Sequence, residues 1–189
     1  MRGYFGIGIE GVSKPMNLGS LLRTAHAFGA SFAFTIGAAL PPARLVRHAD
    51  TSAAADNLPL HHFATVGDFI LPEGCQLVGI ELLDEATVLP SFRHPRRAAY
   101  VLGAERVSLS SALRRRCDFL CRIPTRFCLN VGLAGALVMY DRMISLGRFA
   151  ERPVRAGAAA APLLDHVHGD PLWVKKQRRR EGRQGAHRG

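Results

Sequence analysis

Residues 4–29, YFGIGIEGVSKPMNLGSLLRTAHAFG, carry a strand, a turn and a helix in that order. Tyr4 to Ile9 is an apolar run closed by Glu10, and Ser13-Lys14-Pro15 is a turn signal. Leu18, Leu21, Leu22, Ala25 and Phe28 then recur at helical spacing. Asn17 suits an N-cap and Gly29 a C′ position, so the pattern predicts a helix over 18–28.

The same alternation continues outward. Short apolar runs at Ser31–Ile36, His61–Phe63, Gln76–Ile80, Ala98–Leu102 and Phe119–Ile123 predict strands. Helices are expected at Val66–Ile70, from a Ser108 or Ser110 cap to about Arg116, and from Leu129 to about Leu146, with a weak helical or irregular stretch over Arg44–Ala55. Gly37–Pro42 and Pro90–Arg97 read as loops. In the last helix Leu129, Leu133, Leu137, Tyr140 and Ile144 form one stripe, whereas Gly132, Ala134 and Gly135 leave other faces nearly bare, so that another backbone can approach closely. The order indicates an α/β domain with a mostly parallel sheet flanked by helices. Residues 1–152 are expected to form that domain, and 153–189 a linker with a basic C-terminal extension.

Composition bounds the function. A chain of 189 residues with 48% hydrophobic and 21% charged residues can bury one sizeable core, and is neither disordered nor fibrous in composition. Its longest nearly apolar run, Phe127 to Tyr140, is shorter than the ~18 residues of a membrane span. Glu10 interrupts the apolar stretch at the N-terminus, so no signal peptide is read there and a cytoplasmic protein without membrane partners is expected. Cys75, Cys117, Cys121 and Cys128 form neither a disulfide framework nor a C-x-x-C site, and read as buried thiols. His166 and His168 are two ligands in a polar tail, too few for a metal site, and no metal is expected.

The net charge is +10, and most of it lies at the C-terminus. Within 171–189, Lys175, Lys176, Arg178, Arg179, Arg180, Arg183 and Arg188 stand against Glu181 alone. Such a run attracts a polyanion without reading its sequence. Arg114, Arg115, Arg116, Arg122 and Arg126 make a second cluster within the domain. Two basic patches favour nucleic acid over a small acidic metabolite.

Three segments carry chemistry. On the first helix Gly19, Arg23 and His26 share a side away from the leucines, so Arg23 can present its two parallel donors to a phosphate. Gly103-Ala104-Glu105 follows a buried strand at its carboxyl end, where open α/β sheets bind ligands. Ile123-Pro124-Thr125 through Cys128-Leu129-Asn130-Val131-Gly132 is a second strand-to-helix junction. No G-x-G-x-x-G and no G-x-x-x-x-G-K-[ST] occurs, which counts against a dinucleotide dehydrogenase and an NTPase. Taken singly, each segment is better served by a plain role: a solvent-facing arginine, a turn, a helix cap.

Their order and spacing make the case. Asn17-x-Gly19-x-x-x-Arg23 with Phe28-Gly29, then Leu102-Gly103-x-Glu105, then Ile123-Pro124 and Leu129-Asn130-Val131 resemble the three motifs of the SpoU (TrmH-like) branch of SPOUT RNA methyltransferases. The resemblance covers about residues 4–147. Cys128 and Ser108 stand where the family usually has Ser and Gly, and Gly132 where it often has Ser or another small residue. The resemblance implies a C-terminal deep trefoil knot, an exception to the no-knot rule, and a homodimer formed through the knot region. It implies S-adenosylmethionine as cofactor, held by Leu102, Gly103, Ile123, Leu129 and Asn130. Catalytic roles fall to Arg23, Asn17, Glu105 and Asn130, with Arg23 of one subunit beside the other's cofactor. RNA contacts are expected from Arg23, Arg114, Arg115, Arg126, Lys175, Lys176, Arg178 and Arg179. The implied reaction is 2′-O-methylation of a ribose in tRNA or rRNA; the alternatives are a non-catalytic RNA-binding protein on the same scaffold, or methylation of a base.

Overall fold

The computed structural model describes residues 3–39, 57–104 and 108–162. The chain divides into two units, 1–148 and 149–189. Of the second, residues 149–162 are described and hold no helix or strand. The stretch 44–55 and the basic tail at 171–189 lie outside the described residues.

In the first unit, strands β1 (Tyr4–Glu10), β2 (Phe32–Ile36), β3 (Leu60–Phe63), β4 (Gln76–Ile80), β5 (Thr87–Val88), β6 (Arg97–Gly103) and β7 (Phe119–Arg122) form one sheet in the order β3-β2-β1-β6-β4-β7-β5. Every pair is parallel. The middle strands β1 and β6 are buried from Phe5 to Ile9 and from Ala98 to Leu102, which is why they read as unbroken apolar runs. Alternate residues of β6 serve opposite faces. Ala98, Tyr100 and Leu102 join the core beneath helices α1 (Pro15–Ala27) and α3 (Val131–Leu146), whereas Ala99 and Val101 join Phe34, Phe69, Leu109 and Leu113 on the face carrying the short helix α2 (Ser111–Arg116).

The structure corrects several local expectations. Helix α1 starts three residues before Leu18, because Pro15 at its first position has the helical φ and no N–H to satisfy. Lys14 is therefore the N-cap residue, and Asn17 lies inside the first turn, where its side chain is free for another partner. Gly29, at φ +72°, ends the helix as expected. Val66–Ile70 is not a helix. Asp68 accepts from the Thr65 N–H (3.1 Å) and hydroxyl (2.7 Å), and the Asp68 N–H returns to the Thr65 hydroxyl (3.3 Å), a closed local turn that competes with helical bonding. The thiols divide: Cys121 is buried, Cys75 and Cys117 are half-buried, and Cys128 is exposed.

The bare faces of α3 are used within the chain. A Cβ on Gly135 would stand 2.3 Å from Leu21 Cδ1, and one on Gly132 2.6 Å from Ser20 Oγ, so both glycines let α3 close onto α1. This turns the leucine stripe outward. Leu133, Leu137 and Tyr140 are 61%, 43% and 48% exposed, while Val131, Val138 and Met139 fill the core.

Candidate active site

Parallel strands end on the same side, so the carboxyl ends of β4, β6 and β7 open together on one edge of the sheet. A cleft lies there. Ile80, Glu81 and Leu82 form one side of it and Leu102, Gly103 and Ala104 the floor, with Ser108 beyond. Ile123, Thr125, Cys128 and Leu129 on the way into α3, with Val131 and Ala134 of the helix itself, complete the lining. The Thr125 hydroxyl donates to the Phe127 carbonyl (2.9 Å), which fixes the bend of that last segment. Among the described lining residues Glu81 is the one charged side chain, and the walls are otherwise largely apolar.

Four of the residues singled out in the sequence, Leu102, Gly103, Ile123 and Leu129, thus meet in one cleft although they come from two separate segments. Asn130 stands at its edge as the N-cap of α3, its Oδ1 accepting from the Gly132 N–H (2.9 Å). Its Nδ2 donates to Asn17 Oδ1 (3.2 Å), joining the starts of α1 and α3 across 113 positions of sequence. Arg23 is exposed on α1 and is not among the described residues that line the cleft; Gly19, expected beside it on an open face, is buried. Glu105 lies outside the described residues, as do Lys175, Lys176, Arg178 and Arg179. Arg115 and Arg126 are exposed and Arg114 is half-buried. Arg116 is occupied structurally, donating to the carbonyls of Val66 and Phe69 and lying 5.3 Å from the Phe69 ring centre.

Two features escaped the sequence reading. The first is a pair of carboxylates at strand ends, Glu10 and Glu81, which bind backbone amides of the segment before α2. Their position directly after apolar runs was a usable signal. The second is a buried network at the opposite end of β6, assembled from the loop before that strand, its middle and α3. Arg142, 1% exposed, donates to Tyr100 Oη (3.1 Å) and to the carbonyls of Tyr4, Pro95 and Arg96. The Tyr100 hydroxyl then donates to His94 Nδ1 (2.6 Å), which leaves the proton on Nε2 to donate to Asp141 Oδ2 (2.8 Å). Burial lowers the His94 pKa although Asp141 pulls it upward, and burial pushes Tyr100 up to about 12. The bonds from Asp141 and Arg142 of α3 to His94, Tyr100 and the carbonyls span more than 40 positions, so no spacing betrays them.

The remaining titratable groups narrow the chemistry. Burial pushes Cys117 up to about 11 and Cys121 up to about 12, so neither is a thiolate nucleophile near neutral pH. No group of three or more metal-ligating side chains occurs among the described residues, and no described helix is long and apolar enough to cross a membrane.

A family model, that of the SpoU rRNA Methylase family, matches residues 5–140. A Staphylococcus haemolyticus protein named for the TrmH family of tRNA/rRNA methyltransferases is 31% identical over 144 residues, covering 70% of this chain and 55% of its own length. The 23S rRNA (guanosine-2′-O-)-methyltransferase of Coxiella burnetii is 30% identical over 139 residues, with the same coverage of 70% and 55%. The chain therefore spans about half the length of the curated relatives it matches. Among solved structures, an AdoMet-bound rRNA methyltransferase from Sinorhizobium meliloti superposes with a TM-score of 0.66 at 26% identity, over 77% of this chain and 58% of its own. A SpoU methyltransferase from Streptomyces viridochromogenes shares the fold, with a TM-score of 0.65 at 24% identity over 76% and 60% of the two chains.

Proposed function

The chain belongs to the SpoU rRNA methylase family, and from that premise we propose that it transfers a methyl group from S-adenosylmethionine to a ribose 2′-OH of tRNA or rRNA. The observation that carries the reading is the donor set of the cleft. Its described lining holds no Lys, Arg or His and a single carboxylate, Glu81, among the hydroxyls of Ser108 and Thr125 and mostly apolar side chains. Phosphate groups would find no counter-charge there, whereas an uncharged purine and a cationic sulfonium both suit it. S-adenosylmethionine bound in the cleft would supply an already activated methyl group, so no metal is called for.

Leu102, Gly103, Ile123, Leu129 and Asn130 are assigned to holding it, through strand-end backbone groups and apolar walls. The Asn17–Asn130 hydrogen bond keeps the start of α1 against the start of α3, which orients both beside the cleft. Arg23 is assigned to the phosphate next to the reacting ribose. A guanidinium is a planar cationic fork, so its part is to clamp that phosphate and stabilise the developing alkoxide. Glu105 is assigned to the same site from its place two residues after Gly103. RNA binding falls to Arg114, Arg115 and Arg126 and to Lys175, Lys176, Arg178 and Arg179 of the tail, with 1–152 as the methyltransferase domain and 153–189 as its basic extension.

The proposal includes a trefoil knot at the C-terminal end of the domain and a homodimer through it, in the cytoplasm. Two observations support the dimer: Leu133, Leu137 and Tyr140 leave an apolar stripe exposed on α3, and Arg23 is not among the described residues that line its own chain's cleft. The test is nucleoside mass spectrometry of RNA from cells with and without the protein, paired with methyl transfer in vitro. Loss of one 2′-O-methylated nucleoside is the expected result; loss of a base-methylated nucleoside, or of none, overturns the proposal.

A further inference from the structure

Ala104 and Ser108 both line the cleft, and Leu109 and Ser110 follow directly. The amides of Leu109 and Ser110 precede the first turn of α2, where no helical carbonyl can accept them. Two carboxylates do. The Ser110 N–H donates to Glu10 Oε2 (2.7 Å), and the Leu109 N–H donates to Glu81 Oε2 (2.6 Å). Glu81 Oε1 accepts in addition from the Leu82 N–H (3.1 Å), so this one carboxylate ties the β4 side of the cleft to the segment before α2.

The origin of the two carboxylates is informative. Glu10 closes β1 opposite Gly103 of β6, and Glu81 directly follows β4, so they reach in from the strands on either side of β6. Helix α2 has no need of them. Its own cap is the Ser110 hydroxyl, which accepts from the Leu113 N–H (3.1 Å), and Leu109 and Leu113 already anchor it in the core at 1% and 0% exposure. What two short, charge-assisted bonds add is a fixed position for the chain beside Ser108, on the wall of the cleft.

We infer that Glu10 and Glu81 are positioning residues that clamp Leu109 and Ser110 and so set the wall against which S-adenosylmethionine is held. The inference rests on the cofactor reading above. Glu10 gives the cleaner test, since it does not line the cleft, whereas Glu81 does. Calorimetry of S-adenosylmethionine on the full chain should show Glu10→Ala weakened by about tenfold or more, the effect of one lost charge-assisted bond. Glu10→Gln, which keeps an acceptor oxygen but loses the charge, should recover part of that loss. In steady state the KM for S-adenosylmethionine should rise while kcat at saturating cofactor stays near wild type, a split that general destabilisation would not produce. Amide hydrogen exchange should quicken at Ser110 in both variants, and Glu10→Gln carries the whole test if Glu10→Ala does not fold. Wild-type cofactor affinity in Glu10→Gln together with unchanged exchange at Ser110 overturns the clamp, as does a fall in kcat with KM unmoved. Wild-type protein that takes up no S-adenosylmethionine overturns the cofactor reading itself, and the two failures are thereby told apart.

Discussion

Arg23 and His94 mark the two kinds of polar residue in this molecule, one exposed and assigned to chemistry, the other buried and structural. Replacing Arg23 by Lys keeps the positive charge and removes the planar fork. Methyl transfer by Arg23→Lys should fall by ~10²-fold or more while S-adenosylmethionine affinity, measured by calorimetry, stays near wild type. Near-normal turnover would return Arg23 to the surface. His94 bears on stability instead. Burial holds its folded-state pKa below the ordinary 6.5, so above that pH folded and unfolded chains alike carry a neutral imidazole and nothing is gained or lost. As the pH falls below about 6.5 the unfolded chain takes up a proton that the folded one refuses, and stability drops until folded His94 also protonates. Thermal melts between pH 7.5 and roughly pH 5 should therefore show a steeper loss of Tm in the wild type than in His94→Gln. Parallel melts of the two proteins would remove His94 from the account.

At the scale of elements, α3 explains how one helix serves two neighbours. Gly132 and Gly135 bring it against α1 at distances no side chain would allow, and Val138 and Met139 fill the core below. The larger residues Leu133, Leu137 and Tyr140 are left on the outside. The sequence showed both faces of this helix but not which would turn inward, because hydrophobic periodicity alone makes the leucine stripe the natural core face. Close approach of α1 reverses that choice. If the exposed stripe is the dimer contact, Leu133→Glu with Leu137→Glu should sediment as a folded monomer at concentrations where the wild type is a dimer. A variant that still dimerises, or a wild type that is monomeric, removes the stripe from that role. Asn17 teaches the same lesson at a helix start: proline two positions earlier fixed where α1 begins, and freed the asparagine to bond Asn130.

For the whole molecule, charge and fold act separately. The segment 171–189 holds seven basic residues against one acidic, and its proposed part is nonspecific attraction to RNA. Deleting it should lower RNA affinity and flatten the dependence of that affinity on salt, with cofactor affinity unchanged; an unaltered salt slope would make the tail a bystander. The alternation of apolar runs and helical periods by itself determined the α/β class, the parallel sheet and the approximate place of six of the strands, because a strand buried on both faces must be apolar throughout. Leu102, Gly103, Ile123, Leu129, Asn17 and Asn130 were marked by the resemblance of three separated motifs to the SpoU family, whose residues lie at ends of buried strands and starts of helices. Only the tertiary structure decided that β1 and β4 flank β6, and hence that Glu10 and Glu81 converge on Leu109 and Ser110, that Arg142 and His94 meet through Tyr100, and that α3 turns its leucines outward. Each of these depends on which segments become neighbours, and strand order is set by how the crossovers pack, a long-range property that leaves no period or spacing in the chain.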